Sequence, residues 1–305
     1  MSKTNNFLQR VRLHRRQYLS EFDPLTFPEQ TVEKILRYGA PVSAIIEHHP
    51  RLDRCMDRLQ QLMTEAEGKG EVLAGGTVVL ADTLNRSSGR LARSWHAPAG
   101  GVWMAMAWPD ILLPEFSRLL PFAVGLACCR AIRSYQLDGR LKWVNDVLVD
   151  GKKIAGVLCE TVFRPDGECY HLLGIGLNAN NQIFPDMLQG SAGSMAEELV
   201  REVDLAEVTG RLLAELTWSL GLLHYDEELA LRDQQSCDQG RSSQLLTAWQ
   251  QLSDTLGRRV EYGFDVQKRV LYRAVVAGID PCGGLVMELQ DGSVITEYSG
   301  EIRYL

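Results

Sequence analysis

The sequence has few of the features that classify a chain at a glance. Its seven cysteines are scattered and form no CxxC pair. A redox dithiol or a zinc ribbon is therefore not indicated, and reduced structural thiols are expected. The six histidines fall into no HExxH or comparable ligand spacing, which argues against a sequence-legible zinc site. No apolar run reaches membrane-spanning length. The longest, residues 119–129, is too short to cross a bilayer and reads as a buried helix. The N-terminal stretch lacks the apolar core of a secretory signal, so a cytoplasmic protein with no membrane partner is expected. Positive charge is not in excess either. The net charge of −7 argues against a nucleic-acid partner. Internal repeats and low-complexity tracts are absent. What remains is ordinary globular composition: 305 residues, 45% hydrophobic and 23% charged. That is enough for one large domain and one small one.

Residues 1–45 read as an N-terminal extension, mostly helical. The basic run from Val11 to Arg16 reads as a solvated helix face, because nothing aromatic accompanies it. The segment is also too short for a winged helix-turn-helix domain. Leu52, Cys55, Met56, Leu59, Leu62 and Met63 share one helical face, and Gly68 and Gly70 end that helix. Residues 71–74 and 77–81 read as strands. The polar stretch 82–94 places Arg86, Arg90 and Arg93 among Gly and Ser, a composition that suits either an anion-binding loop or solvated surface. Further on, 102–107 reads as strand, 113–135 as one long helix, and 169–177 as a strand ending in a GxGxN sequence. Ser194 and Asp204 read as N-caps, 208–229 as core helix, 232–241 as a polar connector, and 245–256 as a last amphipathic helix. Short strands and turns follow, and 257–305 reads as a small SH3-like β-barrel.

The chemistry concentrates in Lys142-Trp143-Val144-Asn145-Asp146 and the residues just after it. Segments 141–149 and 154–162 are rich in β-formers, and Asp150-Gly151 between them is a strong hairpin signal. Lys142, Asn145, Asp146 and Lys153 interrupt this otherwise apolar hairpin. Lysines neutralise phosphate, and a carboxylate with an amide can ligate Mg²⁺ or hold a nucleoside. A solvated hairpin face is the competing reading of the same residues.

Taken together, the segments from about Leu73 to Leu305 resemble the biotin protein ligase family. Gly76 to Asp82, followed by Gly89-Arg90-Leu91-Ala92-Arg93-Ser94-Trp95-His96-Ala97-Pro98, resembles its Arg/Gly loop and Trp-x-x-Pro. Lys142-Trp143-x-Asn145-Asp146, with Lys153 and Gly156, is similar to its most specific signature. Gly174-Ile175-Gly176-Leu177-Asn178 and Gly300-Glu301-Ile302 resemble later strands. The resemblance implies an α+β fold: a mixed β-sheet packed with helices, of the class II-synthetase-like biotin/lipoate ligase type, over 46–256, plus the C-terminal SH3-like barrel. It implies that biotin is activated by ATP as biotinyl-5′-AMP and transferred to a lysine of a carrier-protein domain. Lys153 and Arg90 would be catalytic. Arg93, Lys142, Asn145, Asp146 and Asn178 would bind ATP, with Asp146 and Asn178 serving Mg²⁺. Ser88, Gly89, Arg90, Trp95, Lys153 and Gly156 would bind the acid. A homodimer is a further implication.

The chain departs from that pattern on the acid side. Ser87-Ser88 stand where the family loop begins Gly-Arg, Ala92 replaces a glycine, and Arg54-Cys55-Met56 stand where a Ser-Thr-Asn triplet is expected. Three alternatives follow: a ligase for lipoate or another carboxylic acid, acyl transfer through Cys159, or a non-catalytic protein that binds a small acid or a carrier.

Overall fold

The computed structural model describes residues 3–21, 26–165, 167–234 and 243–305. A seven-stranded sheet is built from β1 (Ile46–His49), β2 (Val78–Ala81), β3 (Val102–Pro109), β4 (Arg140–Lys142), β5 (Asp146–Val149), β6 (Lys152–Phe163) and β7 (Cys169–Leu177), in the order β1-β2-β3-β7-β6-β5-β4. β1 and β2 run parallel and the other neighbours antiparallel, so the sheet is mixed, as expected.

Its two faces carry different helices because alternate residues of each strand face opposite ways. The helices are α1 (Lys3–Ser20), α2 (Glu29–Tyr38), α3 (Cys55–Glu67), α4 (Pro114–Ser117), α5 (Leu120–Arg133), α6 (Met195–Leu199), α7 (Leu205–Asp233) and α8 (Gln244–Leu252). On one face Cys55, Met56, Leu59 and Met63 of α3 pack on Val79, Ala105, Ala107 and Leu172. This is the stripe that the helical spacing predicts. On the other face α5 and α7 bury Leu126, Ile132, Leu216 and Leu220 in the main core. The N-terminal helices lie on α7. Glu215 of α7 is buried, accepts from Tyr18 Oη at 2.7 Å and pairs with Arg130 Nε at 2.7 Å, although burial raises its pKa. Ser194 and Asp204 cap α6 and α7 as predicted, Ser194 in a capping box with Glu197. A second, antiparallel sheet comprises β8 (Arg259–Gly263), β9 (Tyr272–Ile279), β10 (Leu285–Leu289), β11 (Val294–Glu297) and β12 (Glu301–Tyr304), in the order β11-β10-β9-β8-β12. It is consistent with an SH3-like domain.

Four expectations are corrected. Residues 141–149 are not one strand. The chain reverses at Trp143–Asn145, so that β4 pairs with β5 (Leu141 opposite Val147, Lys142 opposite Asp146). The reversal is pinned from a distance: the Trp143 backbone N–H donates to Thr255 Oγ1 at 3.1 Å and its indole to the Gly283 carbonyl at 3.3 Å. Residues 71–74 form no strand; Leu73 packs under α3, and its carbonyl accepts from Tyr170. The helix expected over 113–135 is two, because Pro121 has no N–H to donate and belongs in a first turn, where α5 starts. Finally, Cys282 is disulfide-bonded, while Cys55, Cys128, Cys129, Cys159 and Cys169 are free thiols. The connector expected at 232–241 lies largely outside the described residues. Among the described residues no helix is long and apolar enough to cross a membrane.

Candidate active site

The β5–β6 turn has the geometry its sequence demands. Asp150 and Gly151 both take positive φ, 47° and 78°, as a type I′ turn requires. A bulge between Val147 and Leu148 then offsets the register, leaving Asp146 opposite Gly156 and Leu148 opposite Lys153. Lys153 folds back over the sheet, and its Nζ lies 2.6 Å from Asp146 Oδ1 and 5.0 Å from the Trp95 ring centroid. Lys142, cross-strand from Asp146, holds its ammonium 5.1 Å from the Tyr304 ring centroid. Burial lowers the Lys142 pKa; Asp146 opposes that effect and Lys153 adds to it. Two cations and one carboxylate thus converge where the sequence places them.

Beneath them is a floor of glycines. Gly156 pairs directly with Gly176, and Gly174 lies opposite Leu158. A Cβ on Gly156 would sit 2.8 Å from Trp95 Cζ3, one on Gly176 2.6 Å from Trp95 Cε2 and Nε1, and one on Gly174 3.0 Å from Met56 Sδ. Only glycine therefore allows the indole to lie on the strands. The Trp95 Nε1–H is buried there with no hydrogen-bond partner, which leaves a donor open to an acceptor on a ligand.

Trp95 is planted by the loop before it. Its N–H donates to the Ser87 carbonyl at 2.9 Å, Ser87 Oγ donates to its carbonyl at 2.8 Å, and Ser88 bridges to Ser94. Gly89 N–H closes on the Arg93 carbonyl at 2.8 Å. Leu91 and Ala92 at the tip both have φ of 56°, a conformation that costs side chains other than glycine on the order of 1 kcal/mol each. Arg93 points away from the floor. Its guanidinium grips Glu301 through both terminal nitrogens at 2.8 Å, and Asp265 at 2.5 Å. Burial works to lower its pKa, but the two carboxylates outweigh burial and raise it. Arg90 lies close enough to Tyr262 of β8 to oppose the upward push that burial and Glu297 give that phenol.

Other expected site residues are placed differently. Asn178 is 3% exposed. Its amide donates to the Gly193 carbonyl at 2.9 Å and its Oδ1 accepts from Asn181 at 3.0 Å. It braces the 186–193 loop, and a Mg²⁺ site made of Asp146 and Asn178 does not fit this arrangement. No cluster of three His, Cys, Asp or Glu suited to a metal occurs among the described residues. Asn145 clamps Val157 by a side-chain bond of 2.7 Å and a backbone bond of 2.9 Å, so it shapes the turn. Acyl transfer through Cys159 would need that thiol on the face of Lys153, which lies an even six positions away in the same strand, but the two do not share a face. Cys159 packs with the helix core and lines a cleft with Leu120 and Pro121. The bulge breaks that parity, and burial pushes the Cys159 thiol up to about 12, so the thiol-transfer alternative loses its support.

Sequence reading missed the brace behind the turn. Tyr304 Oη donates to Asp254 Oδ1 at 2.7 Å and lies 2.9 Å from Thr255 Oγ1, the acceptor of Trp143 N–H. No local signal marks these residues, which meet from separations of about fifty to over a hundred positions. Two clefts lie off the glycine floor. One, of about 380 Å³, is bordered by Lys152, Ile183, Phe184 and Glu197. The other, of about 320 Å³, contains Asp110, Thr161 and His171; His171 is on the opposite face of β7 from Gly174 and Gly176 by strand alternation.

A mixed sheet bearing a lysine–carboxylate pair over a glycine floor, with a small antiparallel domain touching its loop, defines a fold shared with known ligases. The chain superposes on the biotin protein ligase from Aquifex aeolicus in complex with biotin and ATP with a TM-score of 0.64 at 21% identity, covering 86% of this chain and 99% of that one. Residues 63–180 match the model of the biotin/lipoate A/B protein ligase family. Among curated relatives, the bifunctional ligase/repressor BirA of Bacillus subtilis is 34% identical over 193 residues, 61% of this chain and 58% of that protein. The Bacillus spizizenii counterpart is 37% identical over 145 residues, 45% and 44%, and the biotin–[acetyl-CoA-carboxylase] ligase of Mycobacterium tuberculosis is 30% identical over 148 residues, 46% and 53%. The chain thus spans about half the length of these relatives.

Proposed function

We propose that the protein is a biotin–protein ligase: it joins biotin to AMP at the expense of ATP, then passes the acyl group to a carrier lysine. The observation that carries this reading is the Lys153–Asp146 pair beside Trp95 on the glycine floor. The Mycobacterium tuberculosis relative, named a biotin–[acetyl-CoA-carboxylase] ligase, and the Aquifex biotin protein ligase in complex with biotin and ATP support it.

In the first step the acid carboxylate attacks the α-phosphate and pyrophosphate leaves. No protein nucleophile is needed, and catalysis rests on alignment and on cations where phosphoryl charge grows. Lys153 is placed to hold the carboxylate and an α-phosphate oxygen, with Lys142 behind it. In the second step the carrier amine attacks the acyl carbon, the amide forms, AMP leaves and one proton is released. Asp146 is the carboxylate at hand to receive it. Ser88, Gly89 and Arg90 act through the loop that plants Trp95 and shields the mixed anhydride from water. Mg²⁺ would arrive with the triphosphate, which ordinarily supplies much of its coordination. A homodimer remains part of this reading, since β5 covers β6 only as far as Gly156. We assign the catalytic part to 46–256 and the barrel to 257–305.

ATP–pyrophosphate exchange with a panel of acids tests the proposal. Biotin-dependent exchange is expected. Exchange with lipoate or octanoate but not biotin would move the protein to the lipoate branch, and ATP-independent binding without exchange would make it a binding protein.

A further inference from the structure

The cleft of about 320 Å³ on the helix side of the sheet holds groups that the ligase reading leaves unused. Thr161 of β6 and His171 of β7 stand directly opposite each other in the antiparallel pair, so their side chains share one face. His171 is 9% exposed and is held at both ring nitrogens. Its Nε2 lies 2.9 Å from Oδ1 of Asp110, just past the end of β3, and its Nδ1 lies 3.1 Å from Thr161 Oγ1. Burial works to raise the Asp110 pKa, but hydrogen bonds from His171, Ser117 and the Cys169 thiol outweigh it and lower the pKa. An ionised carboxylate can only accept, so Nε2 carries the ring proton, and the bare Nδ1 accepts from the Thr161 hydroxyl. We propose that Thr161, His171 and Asp110 form a second active site, separate from that of Lys153, which hydrolyses esters of short-chain carboxylic acids. The inference does not depend on the ligase reading.

The arrangement is that of a nucleophile, a base within hydrogen-bond reach of it and a third group that orients the base. Thr161 is exposed and His171 is buried, so the hydroxyl meets the substrate and the imidazole stands behind it. Ser117 Oγ donates to Asp110 Oδ1 at 3.1 Å and holds the carboxylate in place. The developing oxyanion needs a donor too, and the strand supplies one. The Val157 N–H donates to the Asn145 carbonyl, on the β5 side, at 2.9 Å. Backbone groups alternate along a strand and β6 keeps its register with β7 as far as Phe163, so the Thr161 N–H points to that same side. β5 pairs with β6 only up to Gly156, which leaves this N–H open beside the hydroxyl of its own residue, as in hydrolases whose nucleophile contributes its own amide. Leu112, Leu120 and Pro121 are apolar walls for an acyl chain. In the first half-reaction Thr161 Oγ1 bonds to the acyl carbon, its proton passes to His171 Nδ1, the bond to the alcohol oxygen breaks and the alcohol leaves with that proton. In the second, water attacks the acyl-threonine, gives its proton to His171, and the acid leaves as the proton returns to Thr161 Oγ1. Asp110 positions the imidazole and stabilises its charged form.

The test is hydrolysis of 4-nitrophenyl acetate and butyrate by the full chain and its Thr161→Val, Thr161→Ser, His171→Gln and Asp110→Asn variants, with acid-quenched protein mapped by mass spectrometry. Thr161→Val and His171→Gln are expected to lower kcat/KM by about 10²-fold, the lower end of what a positioned base contributes, and Thr161→Ser is expected to retain the activity. Asp110→Asn should lower kcat and leave KM unchanged, as for a group that acts through His171. The quenched protein should carry its acyl group on Thr161. Because Thr161 is exposed, its variants should keep the native circular dichroism spectrum even if the buried His171 does not tolerate replacement. Hydrolysis unchanged in Thr161→Val, an acyl group found only on other residues, or no hydrolysis above buffer by the unaltered protein overturns the inference. Each of these outcomes leaves the ligase reading untouched.

Discussion

Arg93, in the loop that plants Trp95, forms a two-pronged ion pair with Glu301, the first residue of the last strand, both N–O distances being 2.8 Å. The resemblance assigns Arg93 to ATP, but here it joins the loop to the C-terminal domain. We expect Glu301→Gln to raise KM for ATP roughly tenfold, the order of one charge-assisted bond. A double-mutant cycle with Arg93→Ala should show coupling of about 1 kcal/mol. Additive effects on KM would mean the pair does not position the loop.

In the proposed reaction Lys153 is the side chain on which the chemistry turns. Replacing it with Met should lower acyl-adenylate formation by about 10²–10³-fold, the range for a lost stabiliser of developing charge. The circular dichroism spectrum should stay native. Exchange near the wild-type rate would remove Lys153 from the reaction.

Tyr304 braces the turn at Trp143–Asn145 through Thr255. Tyr304→Phe keeps the ring beside Lys142 and deletes the hydroxyl. A stability loss of about 1 kcal/mol is expected in urea unfolding, with a lower kcat and an unaltered KM for the acid. A kcat equal to wild type would confine Tyr304 to folding.

Ala92 adopts a positive φ of 56° where a glycine would be unstrained. Ala92→Gly relieves about 1 kcal/mol and gives back part of it through the freer unfolded chain. The expected net gain is about 0.5 kcal/mol, whereas Ala92→Val should lose more than about 1 kcal/mol, because a β-branched residue fits that region poorly. Equal stability of the Gly and Val variants would show that the loop tip relaxes freely.

His224 gives a pH prediction. It is enclosed by Tyr38 and Trp108, with Glu227 at 3.9 Å. Burial lowers its pKa from 6.5 to about 4. The unfolded chain therefore binds its proton first as pH falls. The contribution of His224 is fully present above pH 6.5, is lost between 6.5 and about 4, and changes no further below that. Up to about 3 kcal/mol is at stake over that window. Thermal unfolding should show the decline, and His224→Leu should flatten it; an unchanged slope would mean that Glu227 already compensates the charge.

The sequence by itself determined the elements whose causes are local. Asp150-Gly151 permits one kind of hairpin turn, the apolar stripe of α3 has one face to bury, and Ser194 and Asp204 cap the helices that follow them. It also supplied the ingredients of the site, because Lys142, Asp146, Lys153, Trp95 and Gly156 do meet. What the tertiary structure alone decided was orientation. The bulge at Val147–Leu148 put Lys153 on the glycine face and Cys159 in the helix core, which strand parity could not foresee. Asn178 and Arg93 carry the right groups for a nucleotide but find nearer partners in Gly193, Asn181 and Glu301. The reversal at Trp143 depends on Thr255, Gly283 and Tyr304. Hydrogen bonds and ion pairs between such distant positions leave no periodicity in the chain. They form only after packing has brought their partners within about 3 Å.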